Sequence, residues 1–505
     1  MPVGLMSSKG IPNPNGMIIL GFFLSVLPNL LSISFFLGSL QIIFILLVGG
    51  KSFVRNWHHL LLATVPSLTY VILRSSSVEF WNQYTITLLN ILFIFWSMRY
   101  LEKPSLWNIP PIVIVIVMAP SLYLAGIANA IAMTVLTTGI LLYKKPGTKN
   151  LVAVMIIILL VIVGAIVITW LPYFQSVNIE QIRSFNKHGL GILTFLKHLW
   201  LSILGTFTYI TFHWSFRSIF ASAFKHADER LISQSSRTFL NLVGISFLLQ
   251  SIFAYATGVH ALLRLLLSKL YGRVSSLNIN KMALRLVILS TLFVVLSFSI
   301  SAYLGGPDWL HGDRLDQTVQ FLPLLLYLIF LLPVTFTYSG AHQTLIHGIS
   351  FVLLSFFATV NLVCGFMLIR DHLQYQGNII TEADVPLIDK MHAVEFIVDD
   401  WKKISNSRTI PVDYALDGQT WGFVPTFGIQ LVKWYSAPMT QGRSFDYEFL
   451  RRYGFANEQE GIQMRSCDRG RYLLTYAFED PPQLATNPNV THHYFGRLKV
   501  CVIEK

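Results

Sequence analysis

The sequence predicts an all-α polytopic transmembrane helix bundle of about ten spans, followed by a small α/β domain. Three observations carry this. Of 505 residues, 53% are hydrophobic and only 12% charged, against roughly 25% charged in soluble domains. A water-soluble core could not hide that much apolar surface, so most of the chain belongs in lipid. The apolar residues also fall into runs of about 20, the length that crosses a bilayer. Finally, residues 1–370 hold 23 Lys+Arg and 8 Asp+Glu, whereas residues 371–505 hold 14 and 17, the charge density of a soluble domain. Collagen, coiled coil and disordered chain are excluded, and three cysteines are too few for a disulfide scaffold. The net charge of +12 is explained by loop lysines and arginines facing an anionic leaflet, so no nucleic-acid partner is expected.

The expected spans are Leu31–Gly49, His59–Leu73, Tyr84–Met98, Ile109–Ala125, Ile127–Tyr143, Leu151–Phe174, Phe239–Val259, Met282–Leu304, Val319–Thr337 and Leu345–Ile369. Residues 1–30 read as the remnant of an external loop with an interfacial helix at Asn13–Leu27, broken by Pro28 and Asn29. Residues 31–370 form the membrane domain. Within it, 175–238 reads as an external amphipathic region, because Lys197 and His198 interrupt its apolar run. A pair of spans there would preserve the same parity.

With the N-terminus outside, the inner loops carry Lys51 and Arg55; Arg99 and Lys103 with Glu102; Lys144, Lys145 and Lys149; and Arg264, Lys269, Arg273, Lys281 and Arg285 with no acid. The outer loops carry Glu79, and Asp308, Asp313 and Asp316 against Arg314. This is the positive-inside pattern, and it puts residues 371–505 outside the cytoplasm. There, Ala383–Ile404 has helical periodicity, Ile410–Ala415, Arg471–Phe478 and Arg497–Ile503 read as strands, and Phe445–Tyr453 reads as a short helix. Turns are expected at Asp480-Pro481-Pro482 and Asn487-Pro488-Asn489.

No P-loop, dinucleotide fingerprint, HExxH or CxxC is present. The pairs His58-His59 and His492-His493 have poor spacing for one metal ion, and the first, beside Trp57, suits a lipid interface. Two clusters stand out: Gly10-Ile11-Pro12-Asn13-Pro14 before an apolar helix, and Arg74-Ser75-Ser76-Ser77-Val78-Glu79-Phe80-Trp81-Asn82-Gln83 between two spans. Together with the many-span bundle and external domain, they resemble bacterial membrane glycosyltransferases of the GT-C superfamily, protein-mannosyltransferase-like and family-39-type. In that group a Gly-x-x-Asn-Pro-Pro-like turn ends an external loop, and a Pro…Arg…Trp-x-Gln-like segment follows at the outer end of a span pair. The matching residues here are Gly10, Asn13 and Pro14, then Pro66, Arg74, Trp81 and Gln83. Asp313-Arg314-Leu315-Asp316 before Phe321-Leu322-Pro323-Leu324 loosely resembles a later external loop of the group.

The resemblance implies transfer of a sugar from a polyprenyl-phosphate donor to a glycan, lipid or protein acceptor outside the bacterial inner membrane. Arg74, Arg314 and His311 are then the candidates for the donor phosphate, because developing negative charge needs cationic partners. Asn13, Pro14, Trp81 and Gln83 would line the site. A carboxylate must deprotonate or orient the acceptor hydroxyl. The family's acid lies upstream of the Asn-Pro turn, where this chain has no Asp or Glu. The resemblance therefore implies either an N-terminal truncation, which the span parity favours, or a partial or inactive homologue, with little catalysis in both cases, and leaves Asp313, Asp316 and Glu79 as the remaining candidates. Asp308 and Asp371 are the other acids near the outer span ends. No cofactor is expected, and no metal site is assigned.

Each of these residues also has a plain structural role open to it. Arg74 and Trp81 suit helix ends at headgroup level, Arg314 can pair with its acidic neighbours, and Asn13 and Pro14 shape a turn. Cys364 falls inside a span, while a Cys467–Cys501 disulfide is chemically allowed outside the cytoplasm. Asn489-Val490-Thr491 fits a glycosylation acceptor. Two other functions stay open: a transporter or flippase for lipid-linked sugars, and a non-catalytic membrane accessory protein.

Overall fold

Inside lipid every backbone N–H and C=O must be paired within its own segment, so the long apolar runs of this chain become helices. A computed structural model describes residues 30–50, 57–76, 83–122, 126–144, 233–270, 278–305, 332–337, 341–374, 387–407, 409–415, 444–449, 471–476, 489–496 and 498–503, with isolated positions between them. The helices are α1 (Leu30–Gly50), α2 (Trp57–Ser76), α3 (Gln83–Glu102), α4 (Ile109–Leu122), α5 (Gly126–Lys144), α6 (Gln234–Leu270), α7 (Lys281–Gly305), α8 (Ala341–Gln374) and α9 (Leu387–Ile404). The strands are β1 (Asn278–Ile279), β2 (Phe336–Thr337), β3 (Thr409–Ala415), β4 (Ser444–Phe449), β5 (Tyr472–Tyr476), β6 (Val490–Phe495) and β7 (Leu498–Ile503).

Among the described residues, four stretches are long and apolar enough to cross a membrane: Gly126–Lys144, Gln234–Arg264, Lys281–Ser301 and His342–Leu368. They mark the chain as a membrane protein. Shorter apolar stretches lie at Phe36–Gly50 and Leu106–Pro120. Helices α2 and α3, 20 residues each, coincide with two more expected spans. Apart from isolated helical positions, Asn13–Leu27, Leu151–Phe174, 175–232 and most of Val319–Thr337 lie outside the described residues.

Short connections make α1 to α5 alternate in direction. Helix α8 runs parallel to α2, since His59 near the start of α2 meets the His347 carbonyl near the start of α8 at 3.2 Å. Helix α6 runs antiparallel to α8, since Ser233 just before α6 bonds Asp371 near the end of α8. At the opposite end of the bundle β1 pairs antiparallel with β2, Asn278 against Thr337. The Asn280 side chain then accepts the Met282 and Ala283 N–H groups, each at 3.1 Å, and caps α7.

The interior is apolar, with Phe93 of α3 against Phe293 of α7 at 5.2 Å and Phe247 of α6 against Phe357 of α8 at 5.8 Å between ring centres. Buried Asn129 of α5 donates its amide to Asn90 Oδ1 of α3 at 3.1 Å and links the two helices. Such a bond between membrane helices is worth about 0.6–2 kcal/mol.

Several expectations need correction. Helix α6 is 37 residues long, so Arg264 and Lys269 sit on helix rather than in a loop; a bilayer limits the apolar stretch, not the helix. The Val319–Thr337 segment ends as strand at Phe336–Thr337, because its backbone pairs with β1. His59 is buried against α8, not at a lipid interface, while His58 is exposed.

The C-terminal sheet has the strand order β4-β3-β5-β7-β6. A helix was expected over Phe445–Tyr453, but the described part of it, Phe445–Phe449, belongs to β4, parallel to β3 with Ile410 opposite Phe445. The alternation Phe445-Asp446-Tyr447-Glu448-Phe449 is a strand period. Strand β6 was not expected at all, although Val490-Thr491-His492-His493-Tyr494-Phe495 is rich in β-branched and aromatic residues. Helix α9 packs Ala393, Val394, Ile397 and Val398 onto Ile410, Val412, Tyr472, Leu474, Leu498 and Val500. Tyr472 donates its hydroxyl to Asp400 at 2.8 Å and ties sheet to helix; burial and that carboxylate push its phenol up. Gly496 turns β6 into β7 with φ 56°, and an added Cβ there would meet the Asp389 carboxylate of α9. Leu473, Lys499 and Cys501 on the other face are buried too. The Cys501 sulfur lies 3.3 Å from His492 Nδ1, and Cys467 lies outside the described residues.

Candidate functional site

Among the described residues, one end of the bundle holds two of the residues that the sequence singled out. Arg74 lies in the last turn of α2 and Gln83 is the first residue of α3. A cation in the last turn complements the negative end of the helix dipole. Glu79 and Trp81, in the connection between these helices, lie outside the described residues. Helix α7 ends at Gly305 at this same end. The segment that follows carries His311, Asp313, Arg314 and Asp316, which also lie outside the described residues, as do Asn13 and Pro14. The backbone thus brings Arg74 and Gln83 to one corner of the bundle.

The same end holds a defined carboxylate that sequence reasoning named only as a nearby acid. Asp371 is nearly buried, its side chain 11% exposed. The Ser233 N–H and hydroxyl donate to Asp371 Oδ2 at 3.0 and 2.7 Å, and Arg370 Nη2 donates to Oδ1 at 3.1 Å. The Ser233 oxygen in turn accepts the Ser236 N–H at 3.3 Å. Ser233 therefore caps α6, and Asp371 supplies the anion that the positive helix end favours. Burial works to raise this carboxyl, but hydrogen bonds from Ser236, Ser233 and Arg370 outweigh it and hold it below its ordinary 3.8.

That chemistry decides the role. A carboxylate with both oxygens engaged and a lowered pKa is a poor proton acceptor. Asp371 is a clamp between α6 and α8 rather than a general base. The local signal was Ser233-Gln234-Ser235-Ser236 ahead of an apolar run, an N-cap pattern; nothing local identifies its partner 138 residues away.

Asp371→Ala should lower stability by about 0.5–2 kcal/mol, the worth of a helix cap, read as an earlier thermal midpoint in detergent. Because the folded pKa is depressed, this contribution is complete above the ordinary carboxyl value of 3.8 and is lost as pH falls below it. Wild type and variant should therefore converge in acid and differ at neutral pH. Equal midpoints at pH 7 would show that the clamp contributes nothing.

At the other end, His59 and His347 face each other across the α2–α8 contact, their ring centres 6.0 Å apart. Among the described residues no group of three or more His, Cys, Asp or Glu is placed to hold a metal ion. Compared with known proteins, the chain shows no significant similarity to any protein family, curated protein or solved structure.

Proposed function

We propose that the chain is an integral membrane glycosyltransferase of the GT-C type, acting at the extracytoplasmic face of a bacterial inner membrane. In this reading it has about ten spans. It moves a sugar from a polyprenyl-phosphate donor to a glycan, lipid or protein acceptor. One observation carries the reading: the Arg74…Trp81-x-Gln83 segment, which resembles the family's pattern, spans the corner from the last turn of α2 to the first of α3. A lipid phosphate lies at such a corner, at headgroup depth, and an arginine there offers paired donors to phosphate oxygens. Arg314 and His311 complete the donor cluster in this proposal, and Asp313, Asp316 and Glu79 are its acids.

A second reading, transport of a lipid-linked sugar, is favoured by buried His59 against His347 within the bundle, because ionisable groups inside membrane proteins often mark a pathway.

The proposal requires the Arg74 end to face away from the cytoplasm. In intact cells carrying a Cys467→Ser background, Ser77→Cys should react with an impermeant maleimide and Ser276→Cys should react only after lysis. Reaction of Ser276→Cys in intact cells, with Ser77→Cys protected, would place the donor corner on the wrong side for an external transferase.

A further inference from the structure

We infer that His59 and His347 form a two-histidine site for a transition-metal cation of the Zn2+ or Cu2+ class, at the bundle end opposite Arg74. Neighbouring histidines on one helix point about 100° apart, so His58 and His59 cannot share an ion through one face. The fold supplies the second imidazole from a different helix. His59 is 6% exposed, and its Nε2 lies 3.2 Å from the His347 carbonyl oxygen. A carbonyl only accepts, so that bond places the proton on Nε2 and leaves Nδ1 with a bare lone pair. His59 Nδ1 is buried with no hydrogen-bond partner among the described residues, and so is His347 Nε2.

Two buried nitrogens left unpaired among the described residues are costly unless another group satisfies them. The hydrogen bond from one ring nitrogen to a backbone carbonyl, with the other nitrogen bare, is the arrangement that metal-ligating histidines adopt. The separation fits as well. Metal–nitrogen bonds of about 2.0–2.1 Å in a tetrahedral site put two ring centres roughly 5 Å apart. The rings here are 6.0 Å apart and inclined at 66°, a gap that a modest side-chain rotation closes. Phe351 packs edge-on against His59 at 5.8 Å and His58 at 6.4 Å and screens the pair. The remaining coordination positions are open to ligands from outside the chain, since Trp57 and His58 beside the site are exposed. A bound ion would pin α2 to α8.

The test uses the full chain, purified in detergent and stripped with a chelator. Cu2+ is the spectroscopic probe and Zn2+ its competitor. The expected result is one tight Cu2+ per chain whose paramagnetic resonance spectrum carries coupling to two imidazole nitrogens, displaced by Zn2+. His59→Ala and His347→Ala should each weaken binding at least about tenfold, while His58→Ala leaves it unchanged. Zn2+ should raise the thermal midpoint of the wild type and not of either variant. His59→Phe and His347→Phe keep ring packing and cover the case of an alanine variant that fails to fold. Tight binding that survives both substitutions, or no stoichiometric binding to the wild type, overturns the inference.

Discussion

Arg74→Ala should weaken binding of a polyprenyl phosphate to the solubilised chain by about 10- to 150-fold, the loss of about 1.5–3 kcal/mol expected for a hydrogen bond to a charged group. The position is the reason. Arg74 sits in the last turn of α2, and α2 at about 1.5 Å per residue is about 30 Å long, matching the hydrocarbon core. Its last turn therefore reaches headgroup level, where a lipid phosphate resides. Arg74→Lys should recover part of the affinity, as a point charge without the planar fork. The uncharged polyprenol should bind wild type and variant alike. Protein abundance should hardly change, since a cation at a helix end contributes only about 0.3–1 kcal/mol to the fold. Unaltered phosphate affinity in Arg74→Ala would make this residue a membrane anchor.

Gly126→Val should cost about 1–3 kcal/mol or more and lower the yield of folded protein. Gly126 is the first residue of α5, four positions after the last residue of α4. A Cβ built there runs into the backbone carbonyl of Ala119 and comes within 3.2 Å of Ile86 Cδ1. Backbone cannot rotate away as a side chain can, so α5 must shift along or off α4. Asn129 lies one turn further along α5, so the same shift strains its bond to Asn90. Gly139→Val is the control: nothing lies within 4 Å of an added Cβ there. A thermal midpoint in detergent that falls for Gly126→Val and holds for Gly139→Val is the expected outcome. Equal midpoints would show that the α4–α5 contact is loose.

The helices of the bundle were legible because lipid leaves a long apolar run no other structure. Their ends were less so. Apolarity stops at the bilayer surface while hydrogen bonding continues, so α6 runs on through Arg264 and Lys269, and α8 through Arg370 and Asp371. In the C-terminal sheet β3, β5 and β7 were legible from their apolar, β-branched and aromatic runs. Strand β4 was misread because its aromatic residues alternate with Asp446 and Glu448, and charged residues weaken a strand signal until a parallel neighbour supplies the pairing. The candidate site divides in the same way. Arg74 and Gln83 belong to one short segment and could be read there. The Asp371 clamp joins residues 138 apart and the His59–His347 contact residues 288 apart; both are products of helix packing that no local pattern encodes.

The proposed function has a polyprenyl phosphate held at the corner between α2 and α3. The most direct measurement is photolabelling of the chain in membranes with a polyprenyl phosphate that carries a photoreactive group beside the phosphate, followed by peptide mapping. Labelled peptides from residues 74–83 are expected, competed by unlabelled polyprenyl phosphate and lost in Arg74→Ala. Labelling spread over the lipid-facing helices, indifferent both to competitor and to Arg74, would contradict it.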